Sequence, residues 1–278
     1  MRRLRFATLL LCSLIGLAPL SGCGRGGAGL DDHASGAKAL GASDVPRVTG
    51  ANWASPGQLA VSGVAAPDAI VRMSSPEGQS WGTTAGADGA WSFTLPVAAT
   101  PRMVSLSAEQ SGRVMHADGA LIVSPQRGVP FVIARAGYGS RGPELRRSEP
   151  LILALDFDRG GGALISGVAK PGATVRLLVD GVQTGETRAS ESGEFVVPSI
   201  SRPIGVGDHQ FRVETADGVA VTAAKIQDAP PLTSAYRATA AAEGWRLDWR
   251  TPSGGVQSTL IFASAAPAFA KTVAGAAQ

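Results

Sequence analysis

The chain has 278 residues, 44% of them hydrophobic and 17% charged, so it can bury a real core and does not have the composition of a disordered polymer. With 36 glycines and 18 prolines against 5% aromatics, it favours many short strands joined by tight turns over long packed helices. Two cysteines exclude a disulfide scaffold, while a formal charge of +3 and a pI near 9.2 raise a nucleic-acid or anionic-surface partner that depends on where the charges sit.

Residues 1–22 read as an export signal. Arg2, Arg3 and Arg5 precede an apolar stretch from Phe6 to Leu20 that is too short for a membrane span. The stretch ends in Leu20-Ser21-Gly22-Cys23, which resembles the lipobox of bacterial lipoproteins: an aliphatic residue, two small ones and a cysteine. The resemblance implies cleavage before Cys23, lipid attachment there, and membrane association through the anchor. Each buried acyl CH₂ contributes about 0.8 kcal/mol, so several chains on one residue hold stably without a transmembrane helix. Gly24 stands where Asp is the inner-membrane retention signal of enteric bacteria, which implies the outer membrane, on its periplasmic face or at the cell surface. Residues 23–46 form the lipidated cysteine and a flexible tether rich in Gly, Ala and Ser. Removing the signal takes three arginines and no acid, leaving 22 basic against 22 acidic residues. The high pI therefore belongs to the signal, and no nucleic-acid partner is expected.

The rest of the chain is dominated by a repeat. The twelve residues from Val61 to Arg72 (VSGVAAPDAIVR) recur from Ile165 to Arg176 (ISGVAKPGATVR), with eight identities at an offset of 104. The same offset carries Trp53 onto Phe157, Gly89 onto Gly193, Trp91 onto Phe195 and Phe93 onto Val197. Further on, Ala117-Asp118-Gly119 matches Ala216-Asp217-Gly218 at offset 99. Short β-rich runs such as Ile70 to Met73, Thr174 to Val179 and Trp91 to Leu95 predict strands. Asp88-Gly89, Asp118-Gly119, Asp180-Gly181 and Asp217-Gly218 predict hairpin turns. Units of this size built from short strands predict antiparallel sandwiches.

The run Ser-Gly-Val-Ala-x-Pro-x-Ala-x-Val-Arg, followed by Asp-Gly or Ser-Gly and an aromatic strand, resembles bacterial immunoglobulin-like domains, which occur in tandem in adhesins and envelope lipoproteins. The resemblance implies an all-β fold of two tandem antiparallel Ig-like β-sandwiches, domain 1 over residues 47–134 and domain 2 over 150–228. Residues 135–149 are expected as a solvated, partly self-paired linker carrying Arg141, Arg146, Arg147, Glu144 and Glu149. Residues 229–278 hold a partial third repeat: Trp245 to Trp249 parallels Leu153 to Phe157, and with Val256 to Phe262 it predicts a C-terminal β-hairpin against domain 2, followed by a loose tail.

Chemistry is sparse. His116 and His209 are the only histidines outside the tether, and neither has a ligand-spaced partner, so no metal, cofactor or catalytic residue is expected. Asp156 and Asp158 share a strand face at spacing two, which raises paired-carboxylate chemistry or Ca²⁺ binding; a solvated strand end is the expectation. Arg159-Gly160-Gly161-Gly162 is expected as a turn. Aromatics matched between copies, Trp53 with Phe157 and Trp91 with Phe195, are expected in the core. The unmatched Trp81 (aligned with Gly185) and Tyr138, with Trp245 and Trp249, are the candidate binding surface. The chain reads as a non-catalytic envelope lipoprotein whose modules act as spacer and contact surfaces for envelope or surface proteins. The alternative is a lipoprotein that grips peptidoglycan or exopolysaccharide through those aromatics.

Overall fold

The computed structural model describes residues 45–125, 129–143, 145, 147–201 and 203–263. The expectations for the signal, Cys23, the tether up to residue 44, Glu144, Arg146 and the tail from residue 264 lie outside those residues. Everything described is strand, turn or connection, as the composition requires.

The first copy contributes β1 (Arg47–Ser55), β2 (Gln58–Val64), β3 (Ile70–Ser74), β4 (Ser80–Thr84), β5 (Ala90–Pro96), β6 (Arg102–Gln110), β7 (Arg113–His116), β8 (Ala120–Val123) and β9 (Phe131–Ala134). The second contributes β10 (Leu151–Asp158), β11 (Ala163–Val168), β12 (Thr174–Val179), β13 (Val182–Arg188), β14 (Glu194–Pro198), β15 (Gly207–Thr215) and β16 (Gly218–Ile226). Then follow β17 (Tyr236–Ala241), β18 (Gly244–Arg250) and β19 (Val256–Phe262). All pairings are antiparallel and fall into four sheets: β1-β2-β5, β4-β3-β6-β8-β9 with β7 also on β6, β14-β11-β10-β19-β18-β17, and β13-β12-β15-β16. The two copies are Ig-like sandwiches.

Alternation explains the outer sheets. In β5, Trp91, Phe93 and Leu95 point inward while Ser92 and Thr94 face water. The equivalence read from the repeat holds in the ladders: Gly63 pairs with Trp91, and Gly167 pairs with Phe195. Each glycine is needed for close approach. A Cβ on Gly63 would lie 2.2 Å from the Trp91 ring and 2.1 Å from Arg47 O; on Gly167 it would lie 2.5 Å from the Phe195 ring and 2.1 Å from Leu151 O.

The hairpin dipeptides divide. Asp180-Gly181 closes β12–β13 with φ of 51° and 80°, as a type I′ turn demands. Asp88-Gly89 instead carries the chain between sheets, from β4 to β5. The offset-99 match is not a structural equivalence. In the first copy the β6–β7 hairpin turns at Ser111-Gly112 (φ 51° and 74°), and Asp118-Gly119 links β7 to β8. In the second copy Ala216-Asp217 is itself the β15–β16 hairpin turn. The Asp-Gly pairs coincide only because both places need tight turns.

Three hydrophobic seams separate four β layers. One fills the first sandwich around Leu59, Val71, Met73 and Trp91; another fills the second around Leu155, Ile165, Leu177 and Phe211. The third lies between the sandwiches, where Met103, Ile122 and Val132 of the first copy meet Leu153, Leu247, Trp249 and Ile261 of the second. The β10–β19 sheet is therefore covered on both faces, and β10 and β19 read as nearly unbroken buried runs instead of alternating ones. The expected C-terminal hairpin is β18–β19. It joins the second copy through β19 on β10, and β17 adds a strand that the sequence reading did not include.

Candidate interaction surfaces

The polar groups at the seams decide what remains free for function. Asp156, on β10, is 1% exposed. This corrects the solvated reading for that residue. Its Oδ2 accepts from Ser140 N (2.6 Å), and its Oδ1 from Ser140 Oγ (3.0 Å), Gln257 Nε2 (3.2 Å) and Thr259 Oγ1 (2.5 Å). Burial pushes its carboxyl above the usual range, and these neutral donors only partly offset that. Asp158 does sit at a solvated end, where its Oδ1 accepts from Gly160 N (2.8 Å) and Gly162 N (3.2 Å) and builds the glycine turn.

The Asp156 network also corrects the solvated reading for part of the linker, while Tyr138, Arg141 and Glu149 stay exposed. Ser140 and Gly139 are buried, Gly137 N donates to Gln257 Oε1 (3.1 Å), and Ile133 and Arg141 form a β-bridge. Arg141 pairs with Glu194 of β14 at 3.5 Å, across to the second copy. The segment after β9 is thus bolted to the second copy by hydrogen bonds that composition does not reveal.

A second buried carboxylate, Asp248 on β18, points to the opposite face of the same sheet. It accepts from Ser258 Oγ (2.6 Å), Arg246 Nε (2.7 Å) and Arg237 Nη2 (2.8 Å). Burial pushes this carboxyl up as well, but Ser258 and the two guanidinium groups outweigh it and hold it below the ordinary carboxylate range. Arg246 continues to Gln227 O (2.8 Å) and lies 5.2 Å from the centre of the Phe157 ring. Across the inter-sandwich seam, Tyr236 of β17 hydrogen-bonds Glu77; burial, then that carboxylate, raise the phenol above its usual range.

The four candidate aromatics do not form one surface. Trp249 is buried at 4% exposure, with Nε1 donating to Thr259 Oγ1 (3.1 Å), and Trp245 is half-buried against the inter-sandwich seam. Trp249 is corrected from a binding residue to a packing residue, because its face of the sheet is covered by the first copy, and Trp245 packs against the same seam while staying partly exposed. Trp81 is half-buried on β4 with Arg102 5.9 Å from its ring centre. Its alignment with Gly185 holds in the ladders, and Gly185 is small because a Cβ there would lie 2.0 Å from Pro198 O. Tyr138 is 70% exposed, with Arg135 5.6 Å from its ring centre.

Sequence reasoning missed Trp53. Its counterpart Phe157 is buried beneath Arg246 in a sheet that continues through β19, whereas the first sheet ends at β1 and leaves Trp53 half-buried. Trp53 lines an open groove of about 690 Å³ with Asn52, Pro56, Val97 and Pro125. The unequal strand counts of the two copies explain the difference, and a repeat alignment does not encode them.

His209 bridges Asp180 Oδ2 (2.8 Å) and Gly205 O (2.9 Å), fixing the β12–β13 turn. His116 pairs opposite Ser107 on the exposed β7. Among the described residues no three His, Cys, Asp or Glu side chains converge as metal ligands.

No family model matches the chain, and no curated protein matches it. Three solved structures are similar in part. One, described for host cell surface retention of a 1.5-MDa bacterial ice-binding adhesin, is 16% identical over 64% of this chain and 62% of that one, with a TM-score of 0.22. The BSP domain of a biofilm-associated protein is 12% identical over 68% of this chain and 30% of that one, with a TM-score of 0.23. The central fibronectin-III array of RIM-binding protein is 10% identical over 82% of this chain and 93% of that one, with a TM-score of 0.25. The chain thus spans less than two thirds of the first two.

Proposed function

We propose that this chain is a non-catalytic lipoprotein of the bacterial cell envelope. Lipids on Cys23 hold it at the outer membrane, and its two Ig-like sandwiches act as one stiff spacer that presents contact surfaces to other envelope or surface proteins. The observation that carries this reading is the seam of Met103, Ile122, Leu153, Leu247 and Trp249, which ties the copies into a single body. The buried acids serve the same end: Asp156 and Asp248 are saturated by structural donors, so each holds strands together and neither stands open to a substrate.

Two measurements test it. A Cys23→Ala chain is expected to leave the membrane fraction for the soluble one; retention in the membrane would refute the anchor. Affinity capture of the lipidated chain from its own membranes is expected to retain specific proteins after the glycan has been digested enzymatically. The glycan-binding reading is kept because Tyr138 presents an exposed ring. It would displace the scaffold reading if capture required intact glycan and failed for Trp81→Ala and Tyr138→Ala.

A further inference from the structure

The two sheets of the second sandwich have unequal widths, six strands against four. The four-stranded sheet ends at β16. Asp180 N donates to Gln210 O (2.9 Å), so the even-numbered peptide groups of β15 turn toward β12 and the odd-numbered ones toward β16. The register pairs Phe211 with Thr222 and Val213 with Ala220. Hence Gly218, Ala220, Thr222, Ala224 and Ile226 direct their N–H and C=O groups inward. Val219, Val221, Ala223 and Lys225 direct theirs away from the sheet, and no described strand pairs with them. The side chains of Val219 and Val221 are 47% and 51% exposed. The strand has no proline and a single charge at its far end, so it lacks the usual protections of a free edge. The first copy ends differently: its β8–β9 extension is closed by the Ile133–Arg141 bridge.

The wider sheet extends past this edge. A groove of about 700 Å³ runs between Lys225 and Gln227 on one side and Arg237, Thr239, Glu243 and Arg246 of the β17–β18 hairpin on the other. We propose that this edge, whose Lys225 end lies beneath the hairpin, receives one extended basic peptide strand from a partner protein. The proposal rests on the reading of the chain as a protein-contact scaffold and names how one contact is made. A second copy approaching edge-on would bring its own wide sheet against the β17–β18 hairpin, so the space suits a single strand. The charge of the strand follows from the lining. Asp208, Asp228, Glu243 and Asp248 stand against Lys225, Arg237 and Arg246. Both arginines are tied to Asp248, and Asp228 faces Arg159 at 3.9 Å. Among the described residues Asp208, Glu243 and Lys225 have no ion-pair partner, two acids against one base, so a Lys or Arg on the incoming strand complements the surplus negative charge.

The test uses the full chain in detergent and a random decapeptide phage library, followed by titration of the best selected peptide in synthetic form. Selected peptides are expected to alternate β-branched residues and to carry Lys or Arg. Val221→Pro removes an outward N–H while leaving the β15 ladder intact, and is expected to weaken binding about tenfold or more. Val221→Thr, which keeps the backbone donor, is expected to change it less than about twofold, and Asp208→Asn with Glu243→Gln to weaken it several-fold at low salt. The proposal is overturned if no peptide is selected, if peptides bind Val221→Pro as tightly as the native chain, or if the edge instead drives self-association that Val221→Pro abolishes. Membrane partners captured equally by the native and Val221→Pro chains would sink this inference and leave the scaffold reading standing.

Discussion

Gly63→Ala and Gly167→Ala are each expected to destabilise the protein by about 3 kcal/mol, a large share of the roughly 5–15 kcal/mol that holds an ordinary domain. Neither glycine has a positive φ, so backbone strain is not the cause. The added methyl has nowhere to go: on one side is a carbonyl of the neighbouring strand at 2.1 Å, and on the other the aromatic ring that crosses the glycine. Backbone cannot yield as a flexible side chain does, and moving the ring would open the core that Trp91 or Phe195 fills. Gly82→Ala on β4 is the matched control, because its nearest contact would be Val71 O at 3.9 Å. That variant should stay within about 0.5 kcal/mol. Urea denaturation of the three variants decides the matter, and similar midpoints for all three would refute the close-approach argument.

Asp156→Ala is expected to cost about 3 kcal/mol and to release the segment after β9. Truncation leaves Ser140 N–H, Gln257 Nε2 and two hydroxyls facing a dry hole, and the hydroxyls alone can rotate to other partners. Hydrogen exchange should show it locally, as lost protection at Ser140 and Gly137. Asp156→Asn is the milder change, about 1–2 kcal/mol, since its carbonyl can keep Ser140 N–H and the hydroxyls turn to accept, leaving only the Gln257 Nε2 bond lost. It also isolates a pH effect. The folded carboxyl titrates above 3.8, so between 3.8 and its folded value the native state holds a proton that the unfolded chain has released. Stability from this group therefore falls as pH rises through that window and levels off once the folded carboxyl ionises. Relative to Asp156→Asn, the native chain should gain stability on acidification toward pH 4. A flat difference in urea midpoints across pH 4 to 7 would contradict it.

The repeat made the core legible because both copies fill the same positions. Gly63 beneath Trp91 and Gly167 beneath Phe195 could be paired from the one-dimensional pattern, and Asp180-Gly181 announced its turn through residue chemistry alone. What the sequence hid depends on neighbours far along the chain. Trp249 resembles a free aromatic until the first copy covers its sheet face, and Trp53, which does pack against the first core, gives no sign in the sequence that the sheet stops at β1 and leaves its outer part in a groove. Asp156 resembles a surface acid because its donors, Ser140, Gln257 and Thr259, come from segments on either side of the repeat unit. β17 has too little apolar alternation to stand out, since it is an edge strand with most of its residues only partly covered.

The placement of β19 also sets an order of events. Sequence-adjacent β11 can pair with β10 as soon as both have emerged, but the other edge of β10 must wait: Asp156 and Thr259 are 103 residues apart. Until the last strand arrives, the middle of the widest sheet keeps an open edge, and Leu153 and Asp156 lack part of their cover. A chain emerging from its N-terminus would therefore leave this sheet incomplete until β19 had emerged, however early the strands of the first copy had paired.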